Sequence, residues 1–462
     1  MERARARRRR HARRRRTALR RSPPTLRPSQ GERRPVSKTM SRKAGKDHHM
    51  SFGYHMAAAA GIVCGVAAAG DVTVTFESIP GAFSANDMSP DGRWVVGDVD
   101  VNGDFFPDDG YIWDRLSDTF TVLPPLGFGA IAVSDDGAVV LGNIPDPGGV
   151  GSNVAARWTA ATGWVSLGAL PQANACPSLS DGYELSGDGS VAVGLSWDGC
   201  SGRGFVWDGT SRMQELEPLA NGGNRASVIS SDGTIIGGFA QGSFDRTPAV
   251  WDGGTTDGML LDEPNGDVQG EVTGISDDGS VLLVEWLDAS AGHTAARAAT
   301  WTASRDIQII GAGSLLPGWG GNPMDIADDG TIIGFDILMG NRRAWIQPQG
   351  QGPLILLEDY IESHGGVVDL DLGLHVPQAI SADGRTIIGH TTFEGGWIIH
   401  IIPPCVGDAT GDGLVNFDDL NLVLANWSQV VAQGEDGDVD GSGVVDFGDL
   451  NLVLAEWDSD CI

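Results

Sequence analysis

The stretch Met88-Ser89-Pro90-Asp91-Gly92-Arg93-Trp94-Val95-Val96-Gly97 decides the fold, because variants of it recur along most of the chain. A typical copy has Ser or Ala, then Asp-Gly, then a β-branched run closed by Gly. The seven copies place their Asp-Gly pairs at Asp91-Gly92, Asp136-Gly137, Asp188-Gly189, Asp232-Gly233, Asp278-Gly279, Asp329-Gly330 and Asp383-Gly384. The glycines are 45, 52, 44, 46, 51 and 54 residues apart. Self-similarity at this period predicts a repeat architecture.

A Trp follows the glycine of each repeat by 13 to 22 residues and is followed by a further apolar element. These residues are Trp113, Trp158, Trp207, Trp251, Trp301, Trp345 and Trp397. Each unit therefore reads as three or four short strands joined by tight turns, in which Asp-Gly supplies the positive φ that a hairpin needs. Four strands in 40 to 50 residues is typical of a propeller blade.

The two ends of the repeat region complement each other. The segment Val72-Thr73-Val74-Thr75-Phe76 matches the last element of a unit but has no unit before it. The seventh unit stops at Ile398 to Ile402, where its final strand should follow. Placing the N-terminal strand in the last blade leaves no open sheet edge. We therefore predict a mainly β chain whose residues 70–402 form a seven-bladed propeller.

The phrase Ser-x-Asp-Gly-x-x-Val-Val-Gly, followed by Ala-Phe-x-Trp, resembles the extracellular HAF-type repeats of bacterial secreted proteins over roughly residues 71–402. The His of that family's motif is missing, and Gly204-Phe205-Val206-Trp207 stands in its place. The resemblance implies a propeller but no chemistry. Trp-Asp pairs also resemble intracellular WD repeats, but the Gly-His partner motif of those repeats is lacking.

Charge is divided unevenly along the chain. The first 50 residues hold 19 of the 31 Lys and Arg and 3 acidic residues, which leaves 12 basic and 58 acidic residues and a net charge of −46. All 12 remaining basic residues are Arg. So acidic a body would be repelled by nucleic acid and anionic lipid and would attract divalent cations. We expect no nucleic-acid partner.

Residues 40–69 have the pattern of a secretory signal peptide. A basic region precedes the apolar run Met56 to Val66 and the small residues Ala67 to Ala69. The alternative is a short buried Ala-rich helix. We interpret residues 1–39, which are Arg-rich, as an extension from an upstream-shifted start codon rather than as a nucleic-acid-binding arm.

No later apolar run reaches the roughly 18 residues that a membrane-spanning helix needs. The expectation is a secreted protein, extracellular or at the cell surface, with no membrane span. Four cysteines follow the signal segment, and we predict that Cys176 pairs with Cys200 and Cys405 with Cys461. The alternative is four unpaired buried thiols.

Two twelve-residue acidic loops, 408–419 and 438–449, lie thirty residues apart. Both follow the spacing of an EF-hand-type calcium loop, with oxygen ligands at positions 1, 3, 5, 7, 9 and 12 and Gly at 6. The predicted ligands are Asp408, Thr410, Asp412, Leu414, Asn416 and Asp419 in the first loop, and Asp438, Asp440, Ser442, Val444, Asp446 and Asp449 in the second. The second loop has four carboxylates against three, so we expect it to bind calcium more tightly.

Each loop leads into the same helical sequence, Leu420 to Ala425 and Leu450 to Ala455. At helical spacing Leu420, Val423, Leu424 and Trp427 share one face, so the two helices are expected to pack about a pseudo-twofold axis.

The duplicated loop and helix resemble type I dockerin domains over residues 405–461. The resemblance implies a small α-helical calcium-binding domain within residues 403–462 and a cohesin partner. Dockerins that bind cohesins usually have Ser or Thr at loop positions 10 and 11, where this chain has Phe417-Asp418 and Phe447-Gly448. A different cell-surface partner, or a calcium-locked terminal domain without a partner, therefore stays open.

Motifs of catalysis are lacking: the chain has no His-x-x-x-His and no Gly-x-Ser-x-Gly. Insertions interrupt the repeat at Leu315 to Asn322 and at Glu358 to Leu374. Any ligand or catalytic site is expected there or in the central channel, and the alternative is that the insertions are only longer surface loops. The sequence favours a secreted, non-catalytic binding or scaffold protein whose propeller recognises an extracellular ligand such as a polysaccharide. The alternative is an extracellular polysaccharide hydrolase or lyase attached to a complex through its dockerin.

Overall fold

The computed structural model describes residues 72–457 except for 104–105, 124–128, 148–152, 172–178, 198–200, 210–211, 243–245, 262–267, 288–295, 303–306, 311–319, 339–340 and 404. The Arg-rich extension, the signal segment and Cys176, Cys200 and Cys461 lie outside the described residues.

Most of the described chain consists of short strands that form seven sheets. The first strand is β1 (Thr73–Ser78). Blades one to three contain β2 (Asp87–Met88), β3 (Trp94–Val99), β4 (Asp109–Asp114), β5 (Thr119–Val122), β6 (Ala130–Val133), β7 (Val140–Pro145), β8 (Asn153–Thr159), β9 (Gly163–Gly168), β10 (Leu179–Leu185), β11 (Ala192–Trp197), β12 (Gly202–Trp207) and β13 (Gln214–Glu215).

Blades four to seven continue the pattern. They contain β14 (Asn224–Ile229), β15 (Ile235–Gln241), β16 (Arg246–Asp252), β17 (Gly258–Leu260), β18 (Val268–Ile275), β19 (Val281–Leu287), β20 (Ala296–Thr302), β21 (Ile307–Ile310), β22 (Gly320–Ile326), β23 (Ile332–Leu338), β24 (Asn341–Gln347), β25 (Ile355–Leu356), β26 (Val376–Ile380), β27 (Thr386–Thr391) and β28 (Gly395–Ile402).

Each sheet has four antiparallel strands, which are consecutive in the chain in six of the seven sheets, and the seven sheets form a ring. The first strands of neighbouring blades lie against one another from β2 through β26, and β26 also contacts β2. These first strands therefore surround the central channel, and the prediction of a mainly β, seven-bladed propeller is confirmed.

The ring closes through the N-terminal strand. β1 pairs antiparallel with β28, in a register from Thr73 opposite Ile402 to Ser78 opposite Trp397, and becomes the outermost strand of blade seven. Val74 of β1 is fully buried, in one apolar cluster with Trp397 and Ile399 of β28. The predicted closure is confirmed, and it joins the two ends of the repeat region without a free edge.

The Asp-Gly repeat forms the turn between the first two strands of each blade. All seven glycines have positive φ, between 65° and 86°, which is the conformation that only Gly adopts without a steric penalty. In blade four, the Ser230 hydroxyl donates to Asp232 at 2.7 Å and accepts the Ile235 N–H at 3.0 Å. The same pair of bonds recurs in every blade except the sixth, where Ala327 replaces the serine and Thr331 donates to Asp329.

We expect Ser230→Ala to lower the free energy of unfolding by about 1–2 kcal/mol, because the change removes the acceptor of the part-buried Ile235 N–H and one of the donors to the Asp232 carboxylate. Denaturant unfolding of the variant measures the effect. Ser231→Ala is the matched control, since the Ser231 hydroxyl makes a longer bond of 3.3 Å to Asp135. An equal loss in both variants would contradict this role of the repeated serine.

The seven marker tryptophans all lie in the third strands of their blades. Trp251, Trp345 and Trp397 are almost completely buried. The glycine of the preceding strand provides the space: a side chain at Gly334 or Gly389 would collide with the ring of Trp345 or Trp397. This packing explains why Gly closes the β-branched run in these blades.

Helices are few among the described residues. Helix α1 (Leu357–Ser363) follows β25, and a 3-10 turn covers Pro348–Gly350. Helices α2 (Phe417–Ala425) and α3 (Phe447–Ala455) follow the two acidic loops. None of the helices in the described part of the chain is long and apolar enough to cross a membrane.

Candidate metal centre and channel

The C-terminal module has its own small core around α2 and α3. Its fully or nearly buried side chains are Val415, Val423, Val439, Val445 and Val453. Leu424 lies 51% exposed, although helical spacing places it on the predicted packing face. The contact face of these nine-residue helices is therefore narrower than the sequence indicated, because Val423 is the one fully buried apolar residue of α2.

Each acidic loop gathers three carboxylates at one point. Oxygens of Asp408, Asp412 and Asp419 lie within 4.8 Å of one another in the first loop. In the second loop the same holds for Asp438, Asp440 and Asp449. Asp419 and Asp449, at position 12, have no exposed surface. Asp412 and Asp440 are exposed, but negative charges this close to a buried carboxylate repel it unless a cation lies between them.

Hydrogen bonds hold the position-12 carboxylate in place. Asp419 accepts the Asn416 N–H at 2.7 Å and the Thr410 N–H at 2.9 Å, and Asp449 accepts the N–H groups of Asp446 and Asp440 at the same distances. Burial opposes ionisation of Asp419, but these donors keep its pKa below the usual range. The carboxylate is therefore charged at neutral pH.

The remaining predicted ligands are divided between the loops and the helix ends. The Thr410 hydroxyl lies 3.2 Å from Asp408, and the Ser442 hydroxyl lies 3.4 Å from Asp438. The Asn416 and Asp446 side chains instead accept backbone N–H groups as the N-caps of α2 and α3, at 2.8 and 2.7 Å. Leu414 and Val444 would contribute only their carbonyl oxygens.

The charge of this region fits a divalent cation. From Cys405 to Ile462 the sequence has thirteen acidic residues and no Lys, Arg or His. The clustered carboxylates therefore have no counter-charge from within the module. An all-oxygen ligand set of this kind suits calcium. Cys405 takes part in a disulfide, and because every other cysteine lies outside the described residues, its predicted pairing with Cys461 stays a prediction.

A second group of carboxyls lines the central channel, which was predicted as a possible ligand site without these residues. Asp87, Glu184 and Asp325 occupy the same position in β2, β10 and β22, directly before the apolar residue and Ser or Ala of the turn. The other four blades have Ala132, Val228, Gly274 and Ala379 at this position. Alignment of the seven repeats on Asp-Gly therefore identifies the three acidic positions.

The channel carboxyls have raised pKa values. Burial raises the pKa of Asp87 and of Asp325 to about 7, although backbone N–H groups of Val133 and Ile380 donate to them at 2.8 and 2.9 Å. Burial, with Asp87 and Asp325 nearby, also raises the pKa of Glu184. Burial and neighbouring aspartates raise the pKa of Asp277 to about 6.

All seven blades contribute residues to this channel cavity, which has a volume of about 110 Å³. Its described lining includes acidic and apolar side chains but no Lys, Arg or His. With no cation among these residues, the carboxyls are stabilised in their protonated form.

The second insertion predicted to carry a site forms α1 and the segment that returns to β26. Glu358, Glu362 and Asp371 line a cavity of about 710 Å³ there, together with Arg342 and His375. His364 has a local role, because its Nδ1 lies 2.7 Å from the Tyr360 carbonyl oxygen. The first insertion, Leu315 to Asn322, lies mostly outside the described residues.

No family model matches the chain, and no curated protein matches it. Among solved structures, it is similar to an oligogalacturonate lyase in complex with manganese, at 12% identity and a TM-score of 0.47, over 73% of this chain and 99% of that chain. A chain of the mitotic checkpoint complex gives 12% identity and 0.46 over 77% and 99%. The Myceliophteria thermophila Cps50 (Swd1) beta-propeller domain gives 12% and 0.45 over 71% and 98%. Similarities of this size carry no argument about activity, and the resemblances to HAF-type repeats and dockerins stay predictions.

Proposed function

We propose that this chain is a secreted binding protein in which the propeller carries a ligand site and residues 403–462 bind two calcium ions. The observation that carries the proposal is the pair of equivalent carboxylate clusters, at Asp408, Asp412 and Asp419 and at Asp438, Asp440 and Asp449. They lie in a module that contains no basic residue. Calcium would supply the missing positive charge and fix each loop against the helix that follows it.

A repeated apolar surface supports the part of the proposal that concerns a partner. Phe417 and Phe447 are each 68% exposed, at the first positions of α2 and α3. Phe417 packs edge-on against Trp457, and Phe447 packs edge-on against Trp427, both at 4.9 Å between ring centres. Exposed aromatic pairs are typical of protein-binding surfaces. A cohesin or another cell-surface protein is the partner that we propose.

The enzymatic alternative gains little from the channel. A typical polysaccharide hydrolase uses two carboxyl groups that flank the glycosidic bond to be cleaved. The channel cavity of about 110 Å³ is well below the roughly 300–1,000 Å³ of small-molecule sites. The cavity is therefore too small for a polysaccharide, and we assign the channel carboxyls a structural role rather than a catalytic one.

Calorimetric titration of the full chain with calcium tests the proposal. We expect two sites, with the tighter one in loop 438–449 because it has one more carboxylate. Asp449→Asn should weaken the tighter site and Asp419→Asn the weaker one, each by about tenfold or more, since each removes one charged oxygen from a small ligand set.

Asp418→Asn is the matched control, because Asp418 is exposed, neighbours Asp419 and occupies no ligand position. It should leave both calcium affinities unchanged. Absence of binding at millimolar calcium, or an equal effect of Asp418→Asn and Asp419→Asn, would contradict the proposed calcium sites.

A further inference from the structure

The cavity beside α1 combines hydrogen-bond acceptors and an apolar wall with an arginine that makes no ion pair among the described residues. It opens among the start of β24, helix α1 and the segment 368–375, and its volume of about 710 Å³ lies in the range of small-molecule sites, roughly 300–1,000 Å³. Two acidic residues that line this cavity, Glu362 and Asp371, make no side-chain ion pair within the described residues.

Two other carboxylates hold the wall of the cavity. Glu358 accepts the Leu374 N–H at 2.8 Å and lies 3.5 Å from the Arg343 guanidinium. Glu394 accepts the N–H groups of Asp371 and Leu372, both at 2.9 Å. Gly373 lies between these contacts with a φ of +75°, and a side chain there would collide with Glu358. Hydrogen bonds thus hold the wall at Asp371, Leu372 and Leu374, and the cavity is formed before any ligand enters.

Arg342 lines the cavity but takes no part in these contacts. Its guanidinium is half-buried and lies 5.7 Å from the centre of the Phe335 ring. Among the described residues, no carboxylate lies within ion-pairing distance of it, whereas Arg93, Arg203, Arg225, Arg246, Arg343 and Arg385 each have such a partner. Arg115 and Arg157 have no ion pair there either, but they donate to the carbonyl oxygens of Gly92 and Gly189. In a body with a net charge of −46, an arginine without a carboxylate partner is available for an acidic group of a ligand.

The two histidines beside Arg342 add no competing charge. Burial and the nearby Arg342 lower the pKa of His390 to about 4, and they also lower the pKa of His375. Both imidazoles are therefore neutral at neutral pH and offer hydrogen-bonding nitrogen atoms. His375 lines the cavity next to Arg342.

The lining indicates the chemistry of the ligand. Arg342 suits one carboxylate, the oxygens of Glu362 and Asp371 accept hydrogen bonds from hydroxyl groups, and Val368 and Leu370 offer an apolar surface for a C–H face. We propose that this cavity binds an acidic saccharide, with the carboxylate of a uronic acid unit on Arg342. The inference rests on the proposed role of the propeller as a ligand-binding domain.

Calorimetry with the full chain tests the site, using trimers of galacturonate, mannuronate and guluronate as probes and a neutral galactose trimer for comparison. At least one uronate trimer should bind and the neutral trimer should not. Arg342→Gln should weaken that binding by about tenfold or more, because a charge-assisted pair is lost. Arg342→Lys should give an intermediate loss, since it keeps the charge without the planar fork.

Arg385→Gln is the matched control, because Arg385 is paired with Asp383 on a repeat turn and does not line the cavity. Comparison of variants in one background also cancels any binding by the basic first 50 residues. The inference is overturned if no uronate trimer binds or if free glutamate binds as tightly as the uronate trimers. It is also overturned if Arg342→Gln and Arg385→Gln change the affinity equally. Binding of the neutral trimer with no effect of Arg342→Gln would overturn this site while leaving the proposed binding role intact. Calcium binding is measured in a separate titration, and its absence would contradict the proposed function without testing this cavity.

Discussion

Val74→Asp is expected to lower the free energy of unfolding of the propeller by roughly 4 kcal/mol or more, because it places an unpaired charge in the core of the closing blade. Val74 has no exposed surface and lies opposite Ile401 in the register of β1 and β28. With β1 displaced, the edge of β28 would be free, so aggregation should accompany the loss of stability. Urea unfolding at constant calcium, followed by tryptophan fluorescence, measures the change.

Thr73→Asp is the control for this prediction, since Thr73 precedes Val74 on the same strand and is exposed. It introduces the same charge without burying it, and we expect a change within about 0.5 kcal/mol. If Val74→Asp were as mild as Thr73→Asp, the strand would contribute little to closure, and the propeller would be stable as an open ring.

The propeller should lose stability as the pH rises from about 4 to above 7, through its channel carboxyls. The pKa of Asp87 and of Asp325 is about 7 in the folded chain, so between their ordinary pKa and this value the folded state holds protons that the unfolded state has released. Folding stability therefore falls with pH across this window. For one such group, the difference from 3.8 to about 7 corresponds to roughly 4 kcal/mol.

Asp87→Asn should remove much of this slope. At pH 8 the variant should be more stable than the parent by about 2 kcal/mol or more, because a neutral amide replaces a buried charge, and its oxygen can still accept the Val133 N–H. At pH 4 the two should be nearly equal. Urea unfolding at both pH values, with calcium in excess, gives the comparison.

Asp188→Asn is the control, and it should change the free energy of unfolding in the opposite direction. Hydrogen bonds from Ser190 and Ser186 lower the pKa of Asp188, so its charged form is the stabilising one and the variant should be less stable at neutral pH. A parent protein with unchanged stability between pH 5 and 8, or stabilisation by both substitutions, would show that the channel carboxyls are not held protonated.

Several parts of this structure were predictable because they depend on residues close together in the sequence. The Asp-Gly turns, with their positive φ at Gly92 and its six counterparts, follow from local backbone preference. The third-strand tryptophans and the spacing of the acidic loops are equally local. Closure by β1 was also predictable, since the N-terminal end of the repeat region has an extra strand and the last blade lacks one.

The helices and the exposed residues were harder to predict. The fixed spacing of Leu420, Val423 and Leu424 indicated one packing face, but only neighbouring elements decide which of them is covered, and Leu424 stays exposed. Helix α1 was not predicted, because its apolar residues Leu357 and Ile361 become buried only against the adjoining blades.

The sequence by itself determined the number of repeats and the turn in each blade, since short-range spacing encodes both, and the closing strand, since one end of the repeat region has the strand that the other end lacks. The oxygen ligands of the two loops stay a prediction from the same kind of spacing. Only the tertiary structure decided that Asp87, Glu184 and Asp325, separated by up to 238 positions in the numbering, share one channel. It also decided that Arg342 lines a cavity and makes no ion pair with a carboxylate of the described residues. Ring closure brings distant residues together and removes water from them, and the resulting burial, rather than residue type, sets their charge and their chemistry.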